Sequence, residues 1–299
     1  MVKIVAVSGG VDSMVLLDMC VKKFGRENIV VAHFDHCARP SSRTDRIFVQ
    51  KFCQVRNIEF MYSEVKRDMS EHLSEEMARD LRYNFFAQVQ KKYSTNEILA
   101  AHHLDDLVES VAINLLRGTG WRGLAVMNSS KVKRPFLSGE FGEIYDRRDI
   151  LRYAAENEVY YRQDPTNTED TYMRNRVRQV TFMMPREEKE QLLALRNKQC
   201  KLRTEVTEIV NEIMSELTGD EAWQKTEGAL AVPRGAFKEM DDEVATELIK
   251  TLARERLDLK CTRPQLKDFL WAIREYMPGK VFNLPKNKLV KMGRDYFVI

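Results

Sequence analysis

The chain lacks any apolar run approaching the ~18 residues of a membrane-spanning helix, so no membrane partner is expected. No basic, apolar and small-residue signal precedes the first apolar stretch at residue 2, and a cytoplasmic location is the expectation. Cysteine is sparse: Cys20, Cys37, Cys53, Cys200 and Cys261 are scattered, odd in number and form no C-x-x-C pair. That pattern argues against a disulfide framework or a cysteine metal centre. The motifs H-E-x-x-H and G-x-x-x-x-G-K-[ST] are missing, as are internal repeats, and no G-x-G-x-x-G follows the first strand. Charge of one sign is missing too, since 48 Lys and Arg against 45 Asp and Glu leave +3, too little to argue for a nucleic-acid partner. What remains is an ordinary globular composition, 43% hydrophobic and 31% charged. At 299 residues it predicts two compact units with a connector.

The first third alternates between two patterns. KIVAV, ENIVVAHF, NIEFMYS and NEILAAHH are brief and apolar and predict strands. Between them, VDSMVLLDMCVKKF, SSRTDRIFVQKFCQV and SEEMARDLRYNFFAQVQKKY carry apolar residues at helical spacing. Such alternation predicts an α/β fold with a parallel sheet and helices on both faces. Ligands of such sheets sit at the carboxyl ends of the strands. Four of the five histidines fall at two of those ends, in His33-Phe34-Asp35-His36 and His102-His103-Leu104-Asp105-Asp106.

At the end of the first strand stands Ser8-Gly9-Gly10-Val11-Asp12-Ser13. Adjacent glycines allow a tight turn that aims successive amides at one spot, a following helix adds its positive end, and Ser8 and Ser13 add hydroxyls. This reads as an anion cradle for phosphates; the bland alternative is a Gly-Gly turn in which Asp12 and Ser13 merely start a helix.

S-G-G-x-D-S resembles the loop of the N-type ATP pyrophosphatases, which cleave ATP between its α- and β-phosphates and activate an oxygen of the substrate as an adenylate. Further blocks resemble one family within them, the tRNA(Ile)-lysidine synthases: HFDHCARPSS, AR-x-x-RY at Ala78–Tyr83, AHHLDDLVESVAINLLRGTGWRGLAVM, RPFL at Arg134–Leu137 and DPTN…RNRVR at Asp164–Arg178. The likeness runs from about residue 2 to 182. Departures are Cys37-Ala38 for Gly-Leu, Leu107 for glutamine and Ser110 for threonine.

The resemblance implies an ATP pyrophosphatase domain (Rossmann-like, adenine nucleotide alpha hydrolase-like). It implies ATP and Mg²⁺ as cofactors, with tRNA(Ile) bearing a CAU anticodon and free L-lysine as partners. A homodimer is a further expectation. The implied reaction joins the lysine side-chain amine to C2 of the wobble cytidine through an adenylated intermediate, giving lysidine. By the same likeness Ser8, Gly9, Gly10, Val11, Asp12, Ser13, His33 and His36 hold the nucleotide, with Asp12 near the metal. Asp12, Asp35, Asp106, Glu109 and Arg117 form the catalytic set, and Arg79, Arg82, Arg174, Arg176 and Arg178 meet the tRNA.

Asp106 and Glu109 open a helical pattern, and a three-residue gap sets both on one face. Such a pair suits the ammonium of lysine and can relay the proton it must lose. Equally, first-turn acids complement a helix dipole. Arg117 fits either a solvated last-turn base or a phosphate contact. The basic cluster 174–178 is a solvated face or, under the resemblance, an RNA contact.

No glycine or proline interrupts Arg186 to Leu217, and Leu202, Val206, Ile209, Val210, Ile213 and Leu217 form one stripe, predicting a long helix. The expected division is a catalytic domain over 1–184, a connector helix over 185–218 and a small α+β tRNA-binding domain over 219–299. The last part reads as helices at Asp241–Leu257 and after Thr262, then the strands VFNLP, KLVKM and YFVI. From Cys261 onward eight Lys and Arg face three acids, which suits an RNA backbone or plain solubility. Competing functions are tRNA thiolation, disfavoured by the unpaired cysteines, and a non-catalytic nucleotide- or RNA-binding module.

Overall fold

The computed structural model describes residues 1–35, 37, 42–65, 75–129, 131–162, 173–220, 223 and 228–299, and leaves aside the side chains of 75–76 and 173–176. The chain divides into two compact units, Met1–Cys200 and Lys201–Ile299.

In the first unit, β1 (Lys3–Ala6), β2 (Ile29–Asp35), β3 (Glu59–Glu64), β4 (Ile98–Leu99) and β5 (Val132–Lys133) form one sheet in the order β3-β2-β1-β4-β5. Every pairing is parallel. Helices α1 (Val11–Phe24), α2 (Ser42–Arg56), α3 (Glu75–Lys92) and α4 (Leu104–Leu116) alternate with the strands as the sequence predicts. Residue alternation along β1 divides the core between the faces. Val5 packs with Val31, Met14, Leu17 and Val49, whereas Ile4 packs with Val30, Phe85 and Phe86 of the opposite side. Because β2 and β4 flank β1, the strand order reverses there, and the segments after β1 and β4 meet the crevice where α/β sheets bind ligands.

The unit continues through α5 (Pro135–Ser138), α6 (Arg147–Glu156), α7 (Met173–Phe182) and α8 (Arg186–Thr218), whose length runs through the division at residue 200. Leu104, Leu107, Val108 and Val111 of α4 bury against Leu137 and Leu193. Leu107, the departure from glutamine, is thus a core residue.

In the second unit, Val206, Val210, Ile213, Met214 and Leu217 of α8 join the core. Leu202 and Ile209, counted in the predicted stripe, are instead 42% and 53% exposed, because the buried face follows 206, 210, 213, 214 and 217. β6 (Ala231–Pro233), β7 (Val281–Leu284), β8 (Lys288–Met292) and β9 (Tyr296–Val298) form an antiparallel sheet in the order β6-β9-β8-β7. The terminal meander was expected, and β6 joins it at the far edge. Beside it lie α9 (Arg234–Glu239), α10 (Asp242–Leu257), capped by Asp241, and α11 (Arg263–Glu275), closed by a Thr262–Gln265 capping box.

Arg234 is buried, and no carboxylate among the described residues pairs with it. Its guanidinium donates to Ile273 O at 2.7 Å, Gly293 O at 2.6 Å and Tyr276 O at 2.8 Å, tying the end of α11 to the β8–β9 turn. Arg234→Met should therefore cost about 2–4 kcal/mol, since hydrogen bonds to a charged group contribute about 1.5–3 kcal/mol and the orphaned carbonyls add a penalty. The check is thermal unfolding in a Trp121→Phe background, where emission reports Trp223 and Trp271 of this unit. A midpoint lowered by more than about 8 °C is expected; an unchanged midpoint would remove the role given to Arg234.

Candidate active site

The loop after β1 is held from within. Ser13, buried in the first turn of α1, accepts from Ser8 N at 3.1 Å and Gly9 N at 3.2 Å and donates to Gly10 O at 2.9 Å. Of the two hydroxyls read as phosphate donors, Ser13 has its single proton committed to the loop, while Ser8 is exposed. Gly9 adopts φ +98, and a Cβ there would stand 3.3 Å from Val49 Cγ2. Gly10 caps α1 without a side-chain bond. The Val11, Asp12 and Ser13 amides therefore have no intrahelical acceptor and present the positive helix end to the crevice.

Opposite stands the start of α4. Asp106 Oδ2 accepts from His103 N at 3.0 Å, closing the helix cap. The His103 ring is buried among three carboxylates: Nε2 lies 3.7 Å from Asp12 Oδ1 and 3.5 Å from Asp106 Oδ2, and Nδ1 lies 3.5 Å from Asp105 Oδ2. At these lengths the contacts are electrostatic, and Nδ1 makes no formed hydrogen bond. Burial opposes the charged ring, but Asp106, Asp105 and Asp12 prevail and raise its pKa. Asp12 is also ion-paired with Arg147 of α6. Below them Asp105 is buried, accepting from Arg147 N at 2.8 Å and from the fully buried Lys189 of α8 at 2.5 Å. Burial alone would raise its carboxyl; His103, Lys189 and the Arg147 amide outweigh it and hold it well below the usual carboxylate range.

Glu109 is only 3% exposed. It meets a guanidinium fork, Arg178 Nε to Oε1 at 2.7 Å and Nη2 to Oε2 at 3.4 Å. That fork and the charges of Asp106 and Asp12 raise the Arg178 pKa against the pull of burial. Three carboxylates, Asp12, Asp106 and Glu109, thus act on one cation, Arg178, near the start of α1.

The other expected site residues are placed as follows. His33 is buried, with Nδ1 at 2.8 Å from Val7 O, and burial lowers its pKa. Asp35 is buried and accepts from Cys37 N at 2.8 Å. Asp35, Cys37 and Glu64 offer ligand atoms within 4.8 Å of one another, yet Glu64 is ion-paired with Arg46, and burial with both acids raises the Cys37 thiol pKa. Arg79 and Arg82 lie against the Tyr83 ring. Arg117 caps the opposite end of α4, exposed and roughly 16 Å along the axis from Asp106 by helical rise, so it is not brought to the centre. His36 and the side chains of Arg174 and Arg176 lie outside the described residues. Sequence reasoning missed Arg147 and Lys189. The Asp146–Asp149 capping box was a legible helix start; Lys189, within REEKEQ, looks like any solvated helix charge.

Removing one partner of a buried ion pair leaves the other uncompensated. Lys189→Met should therefore destabilise the first unit by about 3–5 kcal/mol. Adding Asp105→Asn should recover part of that loss in urea unfolding, whereas strict additivity would show that the two are uncoupled.

Residues 2–186 match the model of the PP-loop domain. The chain is 42% identical over 185 residues to the tRNA(Ile)-lysidine synthase of Thermotoga maritima, covering 58% of this chain and 43% of that protein. It is 34% identical over 199 residues to that of Bacillus subtilis, covering 62% and 40%. The chain thus spans less than half the length of these curated relatives. In fold it is similar to the U34-tRNA thiolase NcsA of Methanococcus maripaludis, with TM-score 0.56 and 18% identity over 67% of this chain and 72% of that one. With the cradle after β1 and a match over its whole first sheet, the chain belongs to the PP-loop domain family.

Proposed function

We propose that this chain ligates the side-chain amine of free L-lysine to C2 of the wobble cytidine in tRNA(Ile) with a CAU anticodon, consuming ATP and releasing AMP and pyrophosphate. One observation carries the reading: a buried carboxylate, Glu109, already grips a cation beside Asp106 and Asp12 and next to an uncapped helix end. The names of the curated relatives point to the same reaction.

The chemistry divides into two displacements. Cytidine O2 attacks the α-phosphorus of ATP, pyrophosphate leaves, and O2 becomes part of a good leaving group. The lysine amine then attacks C2, the C–O bond breaks and AMP departs. Gly9 shapes the cradle, and the amides of residues 11–13 bind the phosphates. Asp12, partly exposed, is an oxygen donor that fits Mg²⁺, which would supply charge neutralisation for the triphosphate. Arg147 and His103 position Asp12. A free lysine, with pKa ~10.4, must shed a proton before attack, and Asp106 is placed to receive it. For its ammonium to reach Glu109, Arg178 has to yield part of that carboxylate. In this reading Asp35 and His33 line the nucleotide side, and the chain works in the cytoplasm. No helix among the described residues is long and apolar enough to cross a membrane. A second copy of the chain, though expected, enters no step.

The test incubates the chain with ATP, Mg²⁺, L-lysine and a transcript of that tRNA, then weighs the wobble nucleoside. Cytidine heavier by one lysine less one water is expected; unmodified cytidine with the chain folded would contradict the reading. Asp12→Ala should lower pyrophosphate release at least about 100-fold, the scale of losing a group that stabilises transition-state charge. Glu109→Gln should raise the lysine KM about tenfold or more, a loss of about 1.4 kcal/mol. An unchanged lysine KM would take the ammonium away from Glu109.

A further inference from the structure

Beyond the carboxylate centre, on the side of β5, lies a group of arginines that the reaction above does not use. Arg134 follows β5 directly. Its Nη1 donates to Val132 O at 2.9 Å, while its Nε is buried with no partner. Arg196 of α8 reaches the same region and bonds Val126 O and Met127 O, each at 2.8 Å. Arg79 and Arg82 of α3 lie 5.3 and 5.8 Å from the centroid of the Tyr83 ring. His102, the residue before the cap of α4, has a buried Nδ1 that likewise lacks a partner. These groups sense one another: Arg134 is half-buried and repelled by Arg196 and Arg79, and His102 is half-buried and repelled by Arg134 and Arg82.

Among the described residues no carboxylate pairs with Arg79, Arg134 or Arg196. Elsewhere in this unit the buried Lys189 is matched by Asp105 and the half-exposed Arg178 by Glu109. Arg234 in the second unit, without an acid, uses three carbonyls. Arg134 has one. An unmet buried donor and crowded like charges both cost free energy, and one anion with several acceptor oxygens relieves both. A phosphodiester offers two non-bridging oxygens that match a guanidinium fork. Its position separates this seat from the cradle after β1. Arg134 stands two strands away, roughly 10 Å at ordinary strand spacing. Asp106 stands between, near enough to His102 to act on its charge.

We propose that Arg134, with Arg79, Arg82, Arg196 and His102, seats one backbone phosphodiester of the RNA substrate beside the carboxylate centre. The proposal rests on the RNA-modifying reading above. It adds a site at the edges of β4 and β5 distinct from the nucleotide cradle.

The experiment measures binding of the CAU tRNA transcript to the full chain across about 50–200 mM KCl, and ATP binding without RNA. Arg134→Gln and Arg79→Gln should each weaken tRNA binding about five- to tenfold at the lower salt. Each should also make the slope of log K against log salt shallower by about 0.7–1, as expected on losing one phosphate contact. ATP affinity should be unchanged in the exposed Arg79→Gln. Arg134→Lys, which keeps the charge, should restore most of the slope. Should Arg134→Gln fail to fold, Arg79→Gln decides. Wild-type binding with unchanged affinity and slope in the variants overturns the seat and leaves the RNA reading standing. A loss that falls on ATP instead assigns the anion to the nucleotide and equally overturns it. Absence of wild-type tRNA binding removes the RNA reading and the seat together.

Discussion

A single buried carboxylate, Asp105, anchors the first unit's working parts. It receives the Arg147 amide from α6 and the ammonium of Lys189 from α8, and it faces the His103 ring at the start of α4. Three helices that are distant in sequence are thereby fixed against each other at one point. The geometry of the crevice follows from this. His103 and the Arg147 guanidinium, both held through Asp105 or its neighbours, converge on Asp12 at the first turn of α1. A buried core group thus sets where the start of α1 and the α4 carboxylates stand.

Around that anchor, charge is distributed in two ways. Some pairs are closed: Asp105 with Lys189, and Asp149 with Arg186, join buried acids to the start of α8. Others leave room for a substrate. Glu109 is held by Arg178, which is 40% exposed, and in the proposed reaction it trades that partner for the incoming ammonium. Among the described residues, Arg134 and Arg196 after β5 pair with no carboxylate. The proposed adenylation followed by amine attack would use this contrast, with fixed groups for the triphosphate and replaceable partners for the amine and the RNA.

Much of this was legible in the sequence. Strand and helix alternation, the cradle after β1, the start of α4 and the terminal meander all rest on local signals: short β-branched runs, a Gly-Gly turn, helical spacing and caps. Less legible were elements whose existence depends on partners. β5 is two residues long and β6 is three with a proline, so neither shows an alternation to read. Arg147 and Lys189 carried no motif, because their role comes from meeting Asp105 across 42 and 84 residues. The spacing of Asp106 and Glu109 gave a shared helix face but not their partners: tertiary packing turns Asp106 to the cap of its own helix and Glu109 to Arg178.

The central claim is that the cradle and the carboxylates serve two successive displacements on one RNA base. Its most direct measurement follows ATP labelled at the α-phosphate, with tRNA present and lysine withheld. The account predicts label transferred to the tRNA, then released as AMP when lysine is added. Label that never enters the tRNA, or AMP formed equally well without it, would contradict the account.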